Sequence, residues 1–189
     1  MKTYLTFACL AALSASGLMA SATADARSAD RAAPLPAASG LAAPAQHAQS
    51  CDGKTIGFWT NPNGEELIKG GHFLSLLPSL HVVDENGAPF ATTDFDTYKD
   101  WMLGANAVNM AYMLSVQLVA MQFNVLAGNV DERCMLDTHP EMTVNRLMGQ
   151  SITALTRDPY TPPGDPNRPR QEMLKDLLDA ANNNQIWSA

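Results

Sequence analysis

From Trp101 to Val130 the chain carries no charged residue, a run long enough to suggest a bilayer span, which needs about 20 apolar residues. Its polar positions turn the reading away from lipid. Asn106, Asn109, Ser115, Gln117, Gln122 and Asn124 all fall inside the run, and an amide facing hydrocarbon loses its water without a guaranteed partner. At about 100° per residue, Asn106, Asn109, Gln117 and Asn124 share one narrow arc, with Ser115 and Gln122 opposite. The flanks between are apolar: Met110, Leu114, Leu118, Met121 and Val125 on one side, Tyr112, Val116, Val119, Phe123 and Leu126 on the other. The pattern predicts a buried central helix over 107–127, ended by Gly128 as its C-cap. The amides then either satisfy loop backbone groups in the interior or touch solvent along a slot that serves as a binding surface; the first is the more common use of buried amides.

Other helices group around this one. Asp94 is placed to cap a short helix running through Leu103, with Phe95, Tyr98, Trp101 and Met102 on one face. Pro140 suits a first helical turn, followed by Val144, Leu147, Met148, Ile152 and Leu155 at helical spacing. A last helix is expected over 170–182 on the stripe Met173, Leu174, Leu177, Leu178 and Ala181, beyond a Pro-rich loop at 158–169. Residues 80–91 read differently: two short runs around Asn86-Gly87 predict a hairpin, with Pro89 confining it to an edge. The expected fold is mainly α, a compact helical domain around a buried central helix with a small N-proximal β-hairpin.

Composition changes the picture at the start of the chain. Met1-Lys2, an uncharged run to Ala24 and the small-residue triplet Ala22-Thr23-Ala24 have the form of a secretory signal peptide over residues 1–24. Cleavage is expected before Asp25, with Ala20-Ser21-Ala22 and Ala24-Asp25-Ala26 as competing sites. The run is diluted by Ser, Thr and Gly, which argues against a retained anchor. Cys9 does not make a good lipidation signal, because Thr6 stands where an aliphatic residue is wanted. Residues 25–50, Ala- and Pro-rich and without an aromatic, read as a flexible tether. The folded domain is then 51–189. Its charge matters too: the whole chain is −7, which supplies no positive field for phosphates and argues against nucleic-acid binding.

Removing the leader leaves two cysteines, Cys51 and Cys134. An even count in an exported chain points to a disulfide, which for a loop of this length removes about 4 to 5 kcal/mol of unfolded-state entropy. A zinc site is not expected, because Cys51, Cys134, His72 and His81 show no paired ligand spacing. No cofactor motif is present either: there is no P-loop, dinucleotide fingerprint, G-x-S-x-G elbow or H-E-x-x-H.

Thr55-Ile56-Gly57-Phe58-Trp59-Thr60-Asn61-Pro62-Asn63-Gly64 just after Cys51, then the run Asn106 to Leu118 and Phe123-Asn124-Val125-Leu126-Ala127-Gly128, resemble a domain of exported bacterial proteins. Its members open with a cysteine and a segment of the GYWKNH or GFWSNKNG kind, and later carry an apolar helix ending in an L-N-V-x-x-G-like run. The resemblance implies secretion or cell-surface display beside adhesive or structural modules, and implies no reaction. This chain has Thr60-Asn61-Pro62-Asn63 in place of the lysine-asparagine-histidine ending, so no role of that lysine or histidine carries over.

Two functional expectations follow. In the first, the chain is an exported non-catalytic interaction or structural module at a surface or outside the cell, whose partner is glycan, envelope material or extracellular protein. Trp59 would stack on a sugar while Asn61 and Asn63 bond its hydroxyls. Against this stands a plainer reading, in which Phe58 and Trp59 anchor the N-terminal segment in the core and Asn61 to Gly64 turn into a helix beginning near Glu65. The alternative expectation is a secreted or periplasmic hydrolase using the carboxylates near 94–100, which would need two of them to face each other across a cleft.

Overall fold

The structure, a computed structural model, describes residues 50–187. The leader expected over 1–24 and nearly all of the tether expected over 25–50 lie outside the described residues. Those described belong to one compact unit and form seven helices with one two-stranded antiparallel pair. In chain order they are α1 (Ile56–Trp59), α2 (Pro62–Gly71), a 3-10 helix (Phe73–Leu80), α3 (Phe95–Gly104), α4 (Met110–Leu126), β1 (Met135–Leu136), β2 (His139–Thr143), α5 (Val144–Arg157) and α6 (Arg168–Asn182). The fold is mainly α, as its pattern predicts.

The central helix is α4, and its residues are buried on nearly every side, including Leu114, Leu118, Met121 and Phe123. It packs most extensively against α6 and also against α5, α1 and the 3-10 helix. Its start falls at Met110, not Ala107, because Asn109 acts as N-cap, its Oδ1 accepting from Ala111 N at 3.1 Å. Upstream, Asn106 forms its own turn by accepting from Val108 N. The far end closes as expected: Gly128 follows the C-cap Ala127 with φ 74°, the left-handed conformation that glycine adopts without strain. Asp94 caps α3 through Thr97 N at 2.8 Å. No helix among the described residues is long and apolar enough to cross a membrane.

Two local expectations are corrected. Pro140 lies in β2, not in a helical turn; α5 starts at Val144 behind its own cap Thr143, which accepts from Arg146 N. Proline in a two-stranded pair sits on an edge, where its missing N–H breaks no ladder. The hairpin at 80–91 shrinks to one bridge, Val83 with Pro89, because the Asp84 carboxylate takes the N–H groups of Asn86 and Ala88 and folds the segment into a tight side-chain-held turn. The paired strands are instead β1 and β2, with Leu136 also bridging Trp187 near the C-terminus. Residues 73–80 form an unanticipated 3-10 helix carrying Pro78, with Phe73, Leu74, Leu77 and Leu80 buried. It is entered from His72 and left at His81, both left-handed at φ 54° and 53°.

Candidate functional site

Trp59 is fully buried. The four-residue α1 turns it inward, edge-on to Phe123 at 5.6 Å and to Phe58 at 5.0 Å, with Phe73 beyond at 6.4 Å. No face is left for a sugar, so the stacking role expected of Trp59 is corrected to that of a core anchor. Asn61 is the N-cap of α2, its Oδ1 accepting from Asn63 N at 2.9 Å and Gly64 N at 3.2 Å. Pro62 at N1 needs no N–H there. Asn63 is exposed on the first turn. The three residues are neighbours in sequence but do not converge on a surface.

The amide line also turns inward. Asn109 donates to Asp84 O and Pro159 O and accepts from Thr161 N. Thr161 completes the cover of the α4 N-terminus: its carbonyl accepts from Met110 N and its hydroxyl from Ala111 N. Gln117 donates to Asp179 Oδ1 at 2.9 Å and accepts from Asn182 Nδ2 at 3.0 Å. Asn124 donates to Asn182 Oδ1 and to Lys54 O, both at 2.9 Å. Asn106 alone stands outside, exposed in the loop before α4. These amides tie loops and α6 to the central helix, where a buried polar group without a partner would cost about 1 to 3 kcal/mol.

Cys51 and Cys134 form a disulfide, Cα to Cα 5.9 Å, which also removes both thiols from any ligand set. No group of three or more metal-ligating side chains occurs among the described residues. The carboxylates at 94–100 are exposed on or beside α3. That of Asp94 is engaged as a cap by Thr97 N and Thr97 Oγ1, which hold it below the usual carboxylate range. On the neighbouring α2, Lys69 pairs with Glu65 at 2.5 Å; this bond raises its pKa most, and Asp96 and Asp94 add to it. Its Nζ lies 5.7 Å from the centre of the Phe95 ring.

The concave surface that the sequence did not flag runs along the 3-10 helix. Three recesses follow one another there, of about 200, 520 and 320 Å³. The first lies between Lys69, His72 and Phe95; the second between Ser75, Pro78, Thr92 and Thr93; the third between His81, Val83, Phe90 and Pro159. Leu74, Ser75 and Thr93 are shared by the first two, and Pro78 and Ala91 by the last two, so they form one continuous groove. Phe90, half-buried in its wall, lies flat against Trp101 at 4.4 Å and 3°. Trp101 is fixed in turn by its indole N–H donating to Val83 O at 3.1 Å. The result is an aromatic ring held rigid at the edge of a shallow channel with hydroxyls along it. No single sequence motif marks this site, because its lining comes from three separate segments whose contact depends on how the 3-10 helix packs. A wider recess of about 680 Å³ lies near the disulfide, lined by Val125, Val130 and the ion pair of Asp131 with Arg133, and it abuts Ser50, where the described chain begins.

Compared with family models, with curated proteins and with solved structures, the chain matches none.

Proposed function

We propose that this chain is an exported, non-catalytic interaction module, stapled by its disulfide, that meets glycan or other envelope material along the groove beside the 3-10 helix. The observation that carries the reading is Phe90: half-buried, backed by Trp101, and lining the recess that adjoins the one holding Ser75, Thr92 and Thr93. A rigid ring loses little entropy on contact and offers an apolar face to a sugar, while the Ser75 hydroxyl, whose proton goes to His72 O, keeps an oxygen that can accept from the sugar's own. The Cys51–Cys134 bond supports an oxidising address outside the cytosol. The signal-like residues 1–24 support the same address.

The test is binding of the mature chain to a glycan panel and to isolated cell-wall material, comparing the natural sequence with Phe90→Leu, which keeps apolar volume and removes the ring. Weaker retention of Phe90→Leu, with the helical circular dichroism of the natural chain retained at the assay temperature, is the expected outcome. Equal retention of both proteins, or no retention of either, removes the glycan reading. Export is checked separately by intact mass: the secreted protein should begin near Asp25 and gain two mass units per chain on reduction.

The hydrolase expectation finds less support in the geometry. Asp94, Asp96 and Asp100 come from a single short segment, and Asp94 is already committed to capping.

A further inference from the structure

The segment 50–54 lies on the body of the protein as an extended strap, held mostly through its main chain, with side-chain bonds from Asn184 Nδ2 to Asp52 Oδ1 at 2.9 Å and from Ser50 Oγ to Asn129 O at 2.8 Å beside it. Two asparagines each take both polar groups of one strap residue. Asn184 accepts from Gly53 N at 2.6 Å and donates to Gly53 O at 3.1 Å. Asn124 accepts from Lys54 N at 2.8 Å and donates to Lys54 O at 2.9 Å. Further out, Asp52 N donates to Asn129 O at 3.0 Å, and Asp131 N donates to Ser50 O at 2.7 Å. The strap brings little apolar surface with it: Asp52 is exposed, Cys51 and Lys54 are half-buried, and Gly53 is the one residue pressed into the body. A Cβ at Gly53 would come within 2.5 Å of Ala181 O and 3.0 Å of Asn182 Cα. The core anchor Trp59 follows only after the strap ends. Such a segment, rich in partly exposed hydrogen bonds and poor in buried apolar contacts, belongs to the least stable part of a fold.

We propose that residues 50–54 form a disulfide-latched strap, and that reducing Cys51–Cys134 releases it while the helical body stays folded, uncovering the amide-lined slot of Asn124, Asn182 and Asn184. The chemistry runs through the less buried of the two cysteines. Cys134 is fully buried and Cys51 half-buried, so a thiolate from an external dithiol attacks Cys51 Sγ, and the Cys134 sulfur leaves as a thiolate and takes up a proton. The second thiol of the dithiol then closes on the mixed disulfide. The dithiol is oxidised to its cyclic disulfide, and the two protein sulfurs gain two electrons and two protons. With the covalent latch gone, the strap keeps only its partly exposed hydrogen bonds, while α4 keeps its contacts with α5, α6 and the 3-10 helix.

Amide hydrogen exchange on the full chain, with and without dithiothreitol, tests this. The expected result is loss of protection at Asp52, Gly53 and Lys54 on reduction, with the α4 amides from Leu114 to Leu118 still protected. The pair Cys51→Ser with Cys134→Ser should give the same pattern without reductant. Retained protection at 52–54 in the reduced chain overturns the proposal. So does simultaneous loss at 52–54 and in α4, which would make the bond a staple of the whole fold.

Discussion

Trp59 and Asn63 show at the residue scale how far positions four apart can differ. Trp59 fills the space between Phe58, Phe73 and Phe123 with no exposed surface, so Trp59→Ala should lower unfolding free energy by about 3 to 5 kcal/mol in urea titrations. Asn63 is exposed, and Asn63→Ala should change it by less than about 0.5 kcal/mol. Asp131 carries a pH signature. Its carboxylate accepts two bonds from the Arg133 side chain and one from Arg133 N, which bring its pKa from 3.8 to about 2. A carboxylate depressed in the folded chain stabilises the fold above its unfolded pKa and loses that contribution as pH falls toward its folded value. The stabilisation is therefore whole above about pH 4 and fades toward pH 2. NMR titration of the Asp131 carboxyl should show its midpoint rise toward the ordinary value in Arg133→Gln; an unmoved midpoint would assign the shift to another cause.

Among the elements, α3 depends most visibly on one side chain. Asp94 accepts from Thr97 N at 2.8 Å and Thr97 Oγ1 at 2.8 Å, and Tyr98 and Trp101, which α3 supplies to the core, follow within two turns. Asp94→Ala should cost about 1 kcal/mol, the usual value of a lost cap, with faster amide exchange in the first turn of α3 and little change in α4. Loss of protection in both helices together would show that the cap holds more than its own helix. The same logic explains the two elements that differ from expectation. A proline at the edge of a two-stranded pair satisfies its bonding as well as one in a first helical turn, and only the partner strand Met135–Leu136 decides between them. At 80–91, Asn86-Gly87 does form the turn, but the Asp84 side chain takes the N–H groups that a longer ladder would have used.

For the whole molecule, the disulfide and the buried amides act on different states. The bond joins residues separated by 83 positions and restricts the unfolded chain; replacing both cysteines with serine should lower unfolding free energy by about 2 to 5 kcal/mol. Thermal and urea unfolding of the double variant read this directly, and an unchanged midpoint would mean that the loop's ends part no more in the unfolded chain than in the folded chain without the bond. The amides act on the folded state, joining α4 to Lys54 at one end of the molecule and to Asp84, Pro159 and Thr161 at the other.

Much of this is legible in the sequence. Hydrophobic spacing located α3, α4, α5 and α6 because each buries a face whose period the side chains must follow. The disulfide followed from an even count of cysteines in a chain with an export-like start. The sequence alone could not decide between Trp59 as a sugar platform and Trp59 as a core anchor, since exposure depends on residues far along the chain: Phe73 and Phe123 close over it. Nor could it find the groove, whose walls come from residues 68–83, 87–95 and 155–159 and whose ring, Phe90, gains its backing from Trp101. Periodicity is local and survives without tertiary contacts; a surface made where distant segments meet exists only once they have packed.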